Sequence, residues 1–172
     1  MRYGYIDKSG EFVISAKYSF ATDFNDGVAF VASGATRFAT AINTEGETLF
    51  NTKGYENVGR FSEDVCPVAF TDSTWGFIDA NAEQVIGGMK LEYASSFTEG
   101  LAPVLKDDKW GFIDKDRKMQ IPCKYNSPEN TPSGFSEGVA ILKEGANYKI
   151  VDKAGSVLKE IAFQRIPLSS FE

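Results

Sequence analysis

Histidine is absent from the chain. That excludes Ser–His–Asp and Cys–His nucleophilic catalysis and removes the commonest transition-metal ligand. Cysteine is nearly absent, and Cys66 and Cys123 lack the spacing of the Cys and His clusters that hold zinc. Each reads as a small packing residue, although the sequence leaves open whether the two form a disulfide. Positive charge is short, with 18 basic residues against 24 acidic ones and a net charge of −6. No basic patch is visible to meet a phosphate backbone, so nucleic acid is not an expected partner. No apolar run reaches the roughly 18 residues of a membrane span. No signal peptide opens the chain, because patterned sequence starts at Tyr3. Such a start reads as trimmed, which leaves the native compartment open. No segment keeps a 3.6-residue apolar period beyond a turn or two, so helix is not expected.

What the chain does have is rings and glycines. It carries 14 Phe, 7 Tyr and 16 Gly, and 42% of its residues are hydrophobic. That is enough for a packed core, and the mixture favours many short strands joined by tight turns. One string recurs: Tyr3-Gly4-Tyr5-Ile6-Asp7, Trp75-Gly76-Phe77-Ile78-Asp79 and Trp110-Gly111-Phe112-Ile113-Asp114. Altered copies are Ala39-Thr40-Ala41-Ile42-Asn43 and Tyr148-Lys149-Ile150-Val151-Asp152. The starts are separated by 36, 36, 35 and 38 residues. A second string keeps the same step: Phe24-Asn25-Asp26-Gly27-Val28-Ala29, Phe61-Ser62-Glu63-Asp64-Val65-Cys66, Phe97-Thr98-Glu99-Gly100-Leu101-Ala102 and Phe135-Ser136-Glu137-Gly138-Val139-Ala140. A third element, Tyr18, Tyr55 or Leu91, precedes the Phe by six residues, and Tyr125 precedes it by ten. Four residues are therefore inserted within 126–134. Two independent strings with one period establish a tandem repeat.

The run Lys109-Trp110-Gly111-Phe112-Ile113-Asp114, with Ile121-Pro122-Cys123-Lys124-Tyr125 and Phe135-Ser136-Glu137-Gly138-Val139-Ala140 after it, resembles the bacterial WG-repeat (KWG-repeat) family. The resemblance covers nearly the whole chain. Copies one, two and five lack the Trp, which weakens any role given to Trp itself. The resemblance implies repeat architecture and no general activity, cofactor or catalytic residue. It makes residues 1–172 a single WG-repeat domain, with units at about 3–38, 39–74, 75–109, 110–147 and, incomplete, 148–172.

Each copy predicts a strand, a turn and a returning strand. Asp7, Asn43 and Asp152 begin turns with Gly at the fourth place, while Ala82 and Arg117 hold that place in copies three and four. If the geometry is shared, those two side chains sit at positive φ. The Asp-Gly and Glu-Gly pairs predict a second positive-φ corner, with Asp64 standing in for Gly. Pro67 and Pro103 imply either an edge strand or a backbone position that pairs with nothing. The expected fold is all-β: a tandem repeat with roughly three short antiparallel strands per unit, stacked as an open or curved array. A closed propeller is the alternative, less favoured because its blades usually carry four strands and about 40 or more residues.

Candidate sites divide into what repeats and what does not. Asp7, Asp79, Asp114 and Asp152 recur, as do Asp26, Glu63, Glu99 and Glu137, and so are expected to serve turns. Asp114-Lys115-Asp116 hints at a calcium loop but lacks its Gly and distal Glu; no metal and no cofactor is expected. Tyr3, Trp75, Trp110 and Tyr148 occupy one position and read as seam packing, with a ligand groove as the alternative. Phe24, Phe61, Phe97 and Phe135 read as core. The insertion Asn126, Ser127, Pro128, Glu129, Asn130 and Thr131, and the turn Lys106, Asp107 and Asp108, escape the repeat and are the candidate partner-binding residues. The expected function is a non-catalytic scaffold presenting a surface to a protein or glycan. The alternatives are a hydrolase using acidic residues, which needs two convergent carboxylates, and a structural spacer in a longer array.

Overall fold

The computed structural model describes residues 1–34, 39–126 and 129–162. The chain is all-β: among the described residues the one helical element is a 3-10 turn at Thr52–Gly54. It divides into two compact units, Met1–Ser96 and Phe97–Glu172.

In the first unit β1 (Tyr3–Ile6) pairs with β2 (Phe12–Tyr18). A four-stranded sheet follows, of β3 (Phe20–Ala21), β4 (Ala29–Ala32), β5 (Thr40–Ile42) and β6 (Thr48–Asn51), side by side in chain order. A second has β7 (Tyr55–Val58), β8 (Cys66–Phe70), β9 (Trp75–Ile78) and β10 (Gln84–Leu91), also in chain order. The unit ends with β11 (Tyr93–Ala94). In the second unit β12 (Ala102–Lys106), β13 (Lys109–Ile113) and β14 (Met119–Tyr125) lie side by side. So do β15 (Val139–Glu144), β16 (Asn147–Asp152) and β17 (Val157–Ala162). Every strand pair described is antiparallel.

Three segments per copy become four strands per sheet because one segment is shared. After β2 the chain breaks for one residue at Ser19, and the next two residues pair with β4 in the following sheet. A four-stranded antiparallel meander is the unit from which propellers are built, so strand number no longer argues against that relation. Pro67 lies on an internal strand, not an edge. Its carbonyl accepts the Gly59 N–H at 2.8 Å beyond the end of β7. Its nitrogen therefore points the same way, away from β9, where the missing N–H costs no ladder bond.

Two turns are built as the repeat requires. The Asp7 Oδ1 accepts N–H groups from Ser9 and Glu11, and Asn43, Asp79 and Asp152 repeat the arrangement. Ala82 and Arg117 do sit at positive φ, 62° and 67°. The second corner is a two-residue turn with both residues at positive φ, as in Asp26 (47°) and Gly27 (74°), or Glu63 (54°) and Asp64 (70°). Asn25 and Val28 exchange backbone hydrogen bonds of 2.9 Å across it. This is type I′ geometry, whose twist suits adjacent strands.

The same corner ties copies together. The Asp26 carboxylate accepts the Asp64 N–H at 3.1 Å, 38 residues on. In the second unit Glu99 accepts the Gly138 N–H at 3.0 Å and meets Lys153 Nζ at 3.1 Å. The recurring acid is thus a brace between successive corners.

Apolar clusters fill the spaces between sheets. Ile14 and Tyr18 of β2 pack with Ala29, Val31 and Ile42. Phe30 and Ala41 pack with Phe61, Cys66, Val68 and Ile78. In the second unit Phe112 meets Phe135 edge-on at 4.9 Å. Phe61, Phe97 and Phe135 are buried. Phe24 is only half-buried, its ring 4.5 Å from that of Tyr5.

Candidate functional site

The structure separates the aromatic positions that the repeat makes equivalent. Trp110 is buried at 2% exposure, Trp75 is half-buried against Tyr93, and Tyr3 and Tyr148 are exposed. The position is therefore neither a uniform seam nor a uniform groove.

The first unit has a cleft of about 460 Å³ lined by residues of β3 and β7. Phe20, Thr22, Tyr55, Glu56, Asn57 and Gly59 are among its walls. A smaller cleft of about 350 Å³ shares Thr22, Phe30 and Gly59 with it and adds Asp23, Asn25 and Arg60. Together they form one groove along the seam between the two four-stranded sheets. Aromatic rings line it: Phe20, Phe30, Tyr55 and Phe61 are among its walls, with Phe30 6.1 Å from Phe61. Phe20 stands half in solvent at the rim. Burial, with the nearby Cys66, pushes the Tyr55 phenol above its ordinary value, so it stays a neutral donor at physiological pH. The Thr22 hydroxyl is engaged internally: it accepts the Phe30 N–H and donates to the Asp23 carbonyl.

Both strands flanking this groove are terminal in their sheets. Among the described residues each therefore has one backbone edge without a ladder partner, the feature by which sheets accept extended peptides. The acids are sparse. Glu56 is the one carboxylate lining the larger cleft and Asp23 the one lining the smaller.

In the second unit the inserted loop contributes to a cleft of about 470 Å³. Asn130, Thr131 and Ser133 face Ile141, Lys143 and the exposed Tyr148 across it. Asn126 and Glu129 are exposed, with Glu129 accepting from Asn130 Nδ2. Ser127 and Pro128 lie outside the described residues. Lys106 pairs with Lys109, and Asp107 and Asp108 form the two-residue turn between them, at positive φ of 51° and 57°. None of Lys106, Asp107 and Asp108 lines that cleft. The sequence-derived candidates therefore fall into two places. The groove of the first unit was not among them, because Thr22, Tyr55 and Asn57 sit on repeat positions that look ordinary in the sequence.

The recurring Asp side chains are engaged in turns. Asp114 accepts from Gln120 Nε2 at 2.6 Å and from the Lys118 N–H at 2.9 Å, and these bonds hold its carboxyl below the usual range. Among the described residues no three His, Cys, Asp or Glu side chains gather as a metal site would need. Both cysteines are free thiols, and burial pushes that of Cys66 up to about 12.

The family model for the WG containing repeat matches residues 3–34, 75–110 and 110–148. No curated protein sequence matches the chain. Among solved structures it is similar to the computationally designed Ika8 protein, at 14% identity and a TM-score of 0.58 over 89% of this chain and 53% of that one. It is similar to KlHsv2 with loop 6CD replaced by a Gly-Ser linker, at 8% identity and a TM-score of 0.57 over 88% and 55% of the two chains. It is also similar to a chain of the mitotic checkpoint complex, at 10% identity and a TM-score of 0.53 over 90% and 58%. The chain spans a little over half the length of each, and at these identities the likeness concerns the fold alone.

Proposed function

The chain belongs to the WG-repeat family, and on that premise we propose that it is a non-catalytic scaffold whose inter-sheet groove receives an extended segment of a protein partner. The observation that carries this is the pair of strand edges, β3 and β7, unpartnered among the described residues and flanking a groove lined by aromatic rings. A peptide strand can use such edges through its own backbone, and rings give it apolar anchorage. A glycan has rings to stack on but no ladder to offer. The hydrolase alternative needs two carboxylates aimed at one point; the groove carries Glu56 at one cleft and Asp23 at the other, with no observed interaction between them to support such a pair.

The test is selection of peptides from a random displayed library on the native protein and on Phe20→Asp. Phe20 is half-exposed, so this change alters the groove without emptying the core. Sequences enriched on the native protein should lose at least tenfold in affinity on the variant. Enrichment indifferent to Phe20, or a glycan array giving the Phe20-dependent signal instead, would reject the peptide reading.

A further inference from the structure

The chain's charge is unevenly shared. The unit Met1–Ser96 holds seven Lys and Arg against thirteen Asp and Glu, and so carries the whole net charge of −6. The unit Phe97–Glu172 holds eleven of each sign. The groove lies in the charged unit.

Acids stand at both of its clefts. Glu56 lines the larger cleft and is exposed. The Ser73 hydroxyl donates to its Oε2 at 3.5 Å, which brings the turn of the exposed Asp72 to the same place. Asp23 lines the smaller cleft beside Asn25. Asn25 opens the corner of Asp26, whose carboxylate accepts the Asp64 N–H at 3.1 Å, and these three acids are exposed as well. Five exposed acids therefore attend the groove, against two bases in its walls, Lys53 and Arg60. Between the two acidic places the clefts share Thr22, Phe30 and Gly59. That stretch offers a ring and a hydroxyl already spent on internal bonds. The chemistry along the groove is thus acidic, apolar, acidic. A cleft lined by one sign of charge focuses its field, which draws a segment of opposite charge and turns away one of like charge.

We propose that the segment received by the groove is cationic, an extended stretch with Lys or Arg on both sides of an apolar residue; the proposal rests on the groove reading above. The probes are the peptides that the displayed library yields on the intact protein. Those dependent on Phe20 should carry Lys or Arg on both sides of an apolar residue and should be poor in Asp and Glu. Asp23→Asn with Glu56→Gln should weaken the most enriched peptide at least tenfold and flatten the salt dependence of its binding, with the unfolding midpoint unchanged. Replacing the peptide's own basic residues by Gln should give the same loss on the native protein, which no misfolded variant can imitate. Asp7→Asn with Asp79→Asn removes the same charge at turns that line neither cleft, where Asn43 shows that an amide suffices. That pair should cost about twofold at most, because distant surface charges are screened. Phe20-dependent binders without an excess of basic residues, or an equal loss in both double variants, overturn the charge assignment and leave the groove reading standing. The absence of any Phe20-dependent binder removes both.

Discussion

A methyl group built on Gly111 would stand 2.5 Å from the Ile121 carbonyl oxygen and 2.7 Å from the Cys123 nitrogen. Gly4 meets the equivalent backbone of β2 at the same separation, and Gly76 that of β10 at 2.4 Å. The cause is a slip in pairing. Trp110 pairs with Tyr125 and Phe112 with Ile121, so three residues of β14 oppose one of β13. The second strand bulges over the glycine. Copies two and five have Thr40 and Lys149 at that place, and there the pairs run in step through it: Thr40 with Asn51 and Ala41 with Phe50, Tyr148 with Ile161 and Lys149 with Glu160. The Gly of the motif is thus the mark of the bulge, and the bulge returns a buried side chain, Tyr18, Leu91 or Tyr125, to face the leading ring. Gly111→Ala should destabilise the protein by about 1–3 kcal/mol, the usual cost of overpacking, as read from a urea midpoint with an unchanged slope. An Ala variant as stable as the parent would mean that the strand can straighten, as it does in copies two and five.

At the level of the element, the turn after each leading strand depends on one side-chain acceptor. Asn43 shows that a neutral amide oxygen serves as well as a carboxylate. Asp114 differs in charge, and its bonds to Gln120 and the Lys118 N–H lower its folded value below 3.8. A lowered carboxyl contributes stability above its unfolded value, and that contribution is lost as pH falls through the folded value. Asp114→Asn should therefore flatten the acid limb of the melting profile below about pH 4, where the unfolded carboxyl starts to bind protons. Asp114→Ala should lower the melting temperature at neutral pH as well. Equal acid limbs for parent and Asn variant would remove Asp114 from the acid response. These turns were legible in the sequence because an acceptor, a spacing and a Gly or its stand-in sufficed, and Asp64, Ala82 and Arg117 keep the corner without Gly. Where each sheet begins was not legible, because a repeat has no intrinsic phase. The cut falls after Tyr18, and a strand as short as Phe20–Ala21 shows no alternation to read. The groove was hidden for the same reason, since it exists only where two sheets meet.

Across the whole molecule the repeat makes stability a sum of local terms and neighbour contacts, and the equivalent aromatic positions show how unequal those terms are. Trp110 is fully enclosed, whereas Tyr3 and Tyr148 are each about two-fifths exposed. Removing each ring should expose that inequality. Trp110→Ala should cost about 3–5 kcal/mol, as for a large ring taken from a core, and Trp110→Tyr much less. Tyr3→Ala should cost well under half of the Trp110→Ala value, because its ring already meets water. Hydrogen exchange locates the loss as well as sizing it. In a quasi-one-dimensional array the protection lost in Trp110→Ala should be greatest in β12–β14, smaller in β15 and β16, and smaller still with distance along the chain. A uniform loss of protection from β1 to β17 would instead describe one cooperative block, and the nearest-neighbour account of the repeat would fail. A stable Trp110→Ala variant would place the ring on an open face, and the leading aromatics would then become a candidate binding stripe in their own right.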